Sequence, residues 1–354
     1  MPGGDERSEP PALPPVSARR SPAGGDGGGD GGGGGGGGGG VGRVLDFSLG
    51  QAHLSLRHEQ LLIRREGMPD TTTPIEEIAV VVLSSRMVTC TLPVLDAMMR
   101  HGAAVVVCDR AMHPSGMMLP LAGHFQQTRR MIAQATAGAP ARKQVWRQIV
   151  VAKVRAQAAT LEVVRGHDGG LRALAAGVRS GDAGNVEARA AQRYWPVLFD
   201  DPDFRRRTAA PDQNRMLNYG YAVLRAAVGR ALVAAGLHPS LGVHHHAREN
   251  AFCLADDLME PYRPLVDAEV VEIVGEMGGD VALDGPVKAR LVGVLHERLE
   301  HGGRGGEARP ALEWIARSAA SLARILGDRG TTGHDPGERL FFPDGLVEPP
   351  ERGP

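Results

Sequence analysis

The chain has 354 residues, with 40 Lys+Arg against 41 Asp+Glu, a formal charge of −1 and 42% hydrophobic residues. That length permits two domains with cores of their own. Its three cysteines form no CxxC pair, which argues against a disulfide framework or a thiolate zinc site. No apolar run approaches the roughly eighteen residues of a membrane span, and the start lacks a basic-then-apolar leader, so a cytoplasmic setting away from membranes is expected.

Residues 1–42 are rich in Pro, Ser, Asp and Gly and end in a glycine run from Gly31 to Gly40, the composition of a disordered arm. Arg43–Leu49, His53–Arg57 and Gln60–Arg64 are short apolar or alternating runs, as in a meander of hairpins. Ile78–Leu83 and Ala103–Cys108 are β-branched runs suited to buried strands, with a helix over Leu92–Arg100 between them. From about Phe125 the period becomes helical, with Val145, Ile149, Ala152 and Ala156 on one face. Asn185 is a candidate cap for a helix running through Trp195. Leu217, Tyr221, Leu224, Val228 and Leu232 form a further stripe that stops at Gly236. Val287–Leu299 and Ala311–Leu326 read as helices too. The expected fold class is α+β: a small N-terminal β domain over 43–122, a larger all-α catalytic domain over 123–330, and a flexible C-terminal tail over 331–354 in which Leu340, Phe341 and Phe342 could dock locally.

Charge is unevenly placed. Residues 129–230 carry 18 Lys+Arg against 8 Asp+Glu, whereas 251–280 carry eight acids and one base, Arg263. A basic stretch beside an acidic one suits a polyanion held near a metal site, although solvated helix faces give the same pattern. The chemistry concentrates in LGVHHHARENAFCLADDLMEPYRPLVD, residues 241–267. Asp257 and Glu260 are three apart and share a helix face, where two carboxylates repel unless a cation or proton lies between them. His244 to His246 offer imidazole just upstream. A third ligand must come from elsewhere, and Glu187 in GNVEARAAQRYW is the best candidate, although an acid in a first helical turn also complements the helix dipole. One imidazole with carboxylates and no thiolate suits Mg2+ or Mn2+, ions that promote phosphoryl transfer. The chain has no GxSxG elbow, no GxxxxGK[ST] loop, no GxGxxG after a strand and no HExxH pair. Arg205 to Arg207 follow Asp200, Asp201 and Asp203, so a self-neutralising loop competes with phosphate binding there.

GNVEARAAQRYW, then NRMLNYGYAVLRA, then GVHHHARENAFCLADDLMEPYRPLVD resemble the first CRISPR-associated protein family, the endonuclease and integrase of spacer acquisition. VLDFSLGQAHLSLRHEQLLIRR extends the resemblance forward, so that it covers about 43–330. The DDLMEPYRPLVD form is most similar to the versions found beside single-protein effector nucleases. The resemblance implies that Glu187, one histidine and Glu260 bind a divalent metal, with Asp257 as an additional acid. The family's spacing favours His245, fifteen residues before Glu260, over His244, and leaves His246 a bystander. By the same analogy Lys153, Arg189, Arg193 and Arg215 are expected to contact double-stranded DNA. The family's proteins form homodimers, here expected through the β domain, and two dimers flank a small second CRISPR-associated protein in a heterohexamer. That complex joins the 3′ hydroxyls of a short duplex to phosphodiesters of a repeat array. The expectation is therefore a metal-dependent DNA endonuclease and integrase. The alternatives are a stand-alone structure-specific nuclease and a non-catalytic DNA-binding scaffold whose acids only cap helices.

Overall fold

The computed structural model describes residues 42–110, 114–207, 212–301, 306–328 and 339–346. The expected N-terminal arm, apart from its last residue, lies outside them, as do both ends of the expected tail. In chain order the elements are β1 (Arg43–Phe47), β2 (Ala52–Arg57), β3 (Gln60–Arg64), β4 (Thr71–Pro74), β5 (Ile78–Leu83), β6 (Val88–Cys90), α1 (Leu92–Arg100), β7 (Ala104–Cys108) and β8 (Pro114–Met118). A mostly helical region follows: α2 (Gln127–Thr136), α3 (Ala139–Arg165), α4 (Leu171–Ala176), α5 (Val186–Phe199), α6 (Asn214–Ala234), α7 (Cys253–Met259), α8 (Arg263–Met277), α9 (Gly285–Gly293), β9 (Arg298–His301), β10 (Glu307–Pro310), α10 (Ala311–Ala323) and β11 (Gly345–Leu346). The α+β class is as expected.

The strands do not form one meander. β2, β3 and β4 pair antiparallel in succession, with β6 parallel on the far side of β2. β1 leaves this group and pairs parallel with β5, which pairs parallel with β7, giving the order β1-β5-β7-β8. IAVVVL in β5 explains the difference: a strand apolar on successive residues needs cover on both faces, which a central parallel position supplies. One face of this sheet (Val44, Val80, Val82, Ala104, Val106) joins a large core with α3, α5, α6, α8 and α10. The other face (Leu45, Phe47, Val81, Val105) joins a smaller core closed by Leu54, Leu61 and Ile63 of the second sheet and by α1.

One expectation in the helical region needs correction, and the local docking allowed for the tail is observed. The stretch Val287–Leu299 is helical only to Gly293; after one 3-10 turn, Leu299 lies in β9, where it is the sole buried residue of an alternating strand. β9 and β10 therefore interrupt the region expected to be all helix, and β11 from the expected tail completes their small sheet, β10-β9-β11. Inside the stretch expected to be a flexible tail, residues 339–346 are docked. Leu340 and Phe342 are buried in the large core, Leu340 N–H donates to Gln148 Oε1 (2.8 Å), and Phe341 stacks on Trp314. Among the described residues no helix is long and apolar enough to cross a membrane.

Candidate metal centre

α3 is the spine of the site. Pro140 in its first turn and Gly166, left-handed at φ 78, mark its ends. Its buried stripe runs Val145, Trp146, Ile149, Val150, Lys153, Val154, Gln157. A lysine in that stripe requires an anion, since an unpaired buried ammonium is prohibitively costly. Two are present: Lys153 Nζ lies 2.7 Å from Glu187 Oε1 and 2.6 Å from Glu260 Oε2. The contact to Glu187 is an aligned hydrogen bond, whereas Glu260 Oε2 meets the ammonium as an ion pair without one. Lys153 was expected at the DNA surface; instead its stem lies in the core and its charge between two acids.

Glu187 is placed by the start of α5. Asp182, not Asn185, caps that helix: its two carboxylate oxygens accept from Val186 N–H (2.9 Å) and Glu187 N–H (3.0 Å). Asn185 adopts φ 49 and makes no side-chain cap. Glu260 opens the 3-10 turn after α7 and is 4% exposed. Burial alone would raise its carboxyl, but the Arg263 guanidinium (Nη1 to Oε1, 2.7 Å) and the Lys153 ammonium outweigh burial and hold it at about 2. Burial would likewise strip the proton from Lys153, and Glu260 and Glu187 reverse that, leaving its pKa raised.

Asp257, on the same face as Glu260, serves the loop. Fully buried, its Oδ2 accepts from Val243 N–H (2.7 Å) and His244 N–H (3.0 Å), and its Oδ1 from His245 N–H (3.2 Å). The same Oδ1 binds His245 Nδ1 at 2.6 Å, and this bond raises the imidazole pKa. Holding Nδ1 leaves Nε2 as the nitrogen that could serve as a ligand. Gly242 is needed for this turn, because a Cβ there would lie 2.3 Å from His245 O and 3.1 Å from Asp257 Oδ2. His244 stacks on Trp146 (ring centroids 4.0 Å apart, 2° between planes), His245 meets the same indole edge-on, and His246 is exposed. Gln134 of α2 clamps the loop before them, accepting from His238 N–H and donating to the carbonyls of His238 and Leu241.

Glu187, His245 and Glu260 thus surround one neighbourhood, with Asp257 behind the imidazole. Among the described residues no three His, Cys, Asp or Glu side chains stand close enough to hold a metal ion as they are. Lys153 accounts for this: two carboxylates from separate helices already converge on its ammonium, which stands where a hard cation with oxygen ligands would sit. Arg189 and Arg193 are exposed on α5, past Glu187. Arg215 is tied elsewhere, to Asp280 Oδ1 (3.1 Å) and Val281 O (3.2 Å). Sequence reading missed Trp146, Asp182 and Gln134 and gave Lys153 a DNA-facing place; the one available signal was a lysine lying within an apolar helical stripe.

Known proteins resemble this chain over most of its length. The family described as "CRISPR associated protein Cas1" matches residues 49–277, a span that contains every residue of the site. The "CRISPR-associated endonuclease Cas1" of Neisseria meningitidis serogroup C (strain 8013) is 40% identical over 249 residues, covering 70% of this chain and 81% of that protein. Among solved structures, a casposase bound to integration product has a similar fold, with a TM-score of 0.67 at 19% identity, covering 87% of this chain and 96% of that one. So does a chain of a Cas6-RT-Cas1–Cas2 complex, with a TM-score of 0.62 at 18% identity, covering 85% of this chain and 36% of that one.

Proposed function

Because the chain belongs to the CRISPR-associated Cas1 family, we propose that it is a DNA endonuclease and integrase that inserts short duplexes into a CRISPR repeat array. In this reading a duplex 3′ hydroxyl attacks a repeat phosphodiester: one P–O bond forms, another breaks, and no covalent enzyme intermediate arises. The observation that carries it is the meeting of Glu187 and Glu260, from separate helices, at a single cation position beside His245. The donor set, two carboxylates and an imidazole nitrogen, fits Mg2+ or Mn2+. When bound, such an ion neutralises phosphate oxygens and acidifies the attacking hydroxyl.

The remaining work belongs to the chain. Glu187, Glu260 and His245 Nε2 are the ligands, and Asp257 fixes the imidazole tautomer by taking Nδ1–H. Arg263 keeps Glu260 ionised and aimed. Arg189 and Arg193 offer exposed guanidinium groups to the DNA backbone near Glu187. Lys153 is held between two acids of this chain, while Arg215, bonded to the exposed Asp280 and to Val281 O, remains a candidate backbone contact. The working unit is a homodimer assembled with the small second CRISPR-associated protein. The neighbouring complex that includes Cas2 supports the partner, and the casposase on its integration product supports the substrate.

The test joins a labelled duplex to a repeat-bearing plasmid with the partner protein and Mn2+ present. His245→Ala and Glu260→Ala are expected to lower joining by at least about a hundredfold. Undiminished joining by both variants overturns the assignment, and products that are cut but never joined favour a stand-alone nuclease.

A further inference from the structure

The pair of carboxylates that meets Lys153 is charge-balanced before any divalent ion arrives. Glu187 and Glu260 supply two negative charges, and Lys153 and Arg263, in direct contact with them, supply two positive ones. Asp257 adds one negative charge behind the imidazole, where three backbone N–H groups and His245 Nδ1 hold it. The pair is also well removed from water: the Lys153 side chain is 11% exposed and that of Glu260 5%. In such surroundings an uncompensated charge is expensive. A divalent ion set against these carboxylates would stand close to an ammonium and a guanidinium, with only the single charge of Asp257 left to set against its two. Lys153 cannot be carried away by its backbone, since α3 is packed along its length against α4, α5 and α8. What the site lacks is negative charge, and a nucleic acid carries one for every phosphate.

We infer that Lys153 makes cation loading and DNA binding interdependent: its ammonium satisfies Glu187 and Glu260 in the resting protein, so a divalent ion is held firmly only when DNA phosphates supply the compensating charge. The inference rests on Glu187 and Glu260 being cation ligands. Lys153 is then a positioning residue in the empty protein, keeping two carboxylates at cation spacing that would otherwise repel. By linkage, DNA tightens the ion by the same factor that the ion tightens DNA.

The experiment measures Mn2+ binding to the full chain by calorimetry and by the loss of the free-ion paramagnetic resonance signal, with and without a short duplex. For the wild type the duplex is expected to tighten Mn2+ by about tenfold or more, within the usual range of coupling. Lys153→Met is expected to bind Mn2+ more tightly than wild type without DNA, and its gain from DNA is expected to shrink below about threefold. Lys153→Arg keeps the charge and is expected to behave as wild type. Melting in EDTA and in Mn2+ completes the test: Lys153→Met is expected to melt lower than wild type in EDTA and to recover in Mn2+. The inference falls if Lys153→Met binds Mn2+ no more tightly than wild type, if its gain from DNA is undiminished, or if its melting temperature drops equally in both conditions. Those failures leave Mn2+ binding by the wild type intact. If wild type and Glu260→Gln are alike indifferent to Mn2+, with and without DNA, the ligand assignment itself has failed and the inference falls with it.

Discussion

Asp257 gathers three consecutive backbone N–H groups and one imidazole on a single carboxylate, so one buried charge shapes the whole turn that presents His245. Its hydrogen bond raises the His245 pKa above the ordinary histidine value. A raised folded pKa means that the protonated pair stabilises the protein fully below about 6.5, and that this contribution is lost as pH climbs through the raised value. Metal ligation needs the neutral ring, so cation binding is expected to strengthen over that same climb. Asp257→Asn removes the charge while nearly keeping the shape. It is expected to lower joining by about 10–100-fold and to bring the His245 titration down in an NMR pH series. Wild-type joining by this variant would remove Asp257 from the site. Carboxylate and imidazole are ligand chemistry wherever they lie, so the sequence pointed to Glu260 and a histidine, but the choice of His245 and of Glu187 came through the family resemblance. The division of labour between Asp257 and Glu260 was not legible: spacing puts them on one face, but only the fold decides that one meets backbone amides and the other two cations.

α3 joins both halves of the site, because Trp146 and Lys153 are seven residues apart and lie on the same face two turns from each other. The indole supports His244 and His245 while the ammonium supports the acids. Trp146→Ala removes a fully buried ring and its stack, so about 3–5 kcal/mol of stability is expected to be lost in urea unfolding, with a smaller loss for Trp146→Phe. Equal losses for the two would show that the stack contributes nothing. The helix itself was legible from Val145 and Ile149, but its inward face was misjudged toward the half-buried Ala152 and Ala156. Lysine and glutamine normally face water, so Lys153 and Gln157 blur the apolar period on the side that is in fact buried. β9, β10 and β11 are two to four residues long, too short for an alternation to register against the helical segments around them. Pairing partners far apart in sequence, such as β1 with β5, are invisible to any local pattern.

At the scale of the whole molecule, the β1-β5-β7-β8 sheet gives one face to each of two cores, so the β-rich and helical regions share a wall rather than meet across a linker. A fragment beginning at residue 123 would bare the side of α6 that covers β5 and β7. It is expected to aggregate or to bind an apolar dye, as judged by size-exclusion chromatography and dye fluorescence. A monodisperse, dye-silent fragment would show that the helical region closes its own core. The docked residues near the C-terminus reach further than packing. Ser318 Oγ donates to Phe341 O and shares a hydrogen bond with Tyr262 Oη (2.6 Å), in the same 3-10 turn as Glu260, while Leu340 is fastened to α3 at Gln148. The acid and the lysine of the site are therefore braced by residues that the ribosome adds well after both of them. A chain translated only as far as Glu260 carries all of the candidate ligands but not their brace, so the site settles only once Leu340 and Phe341 have been made.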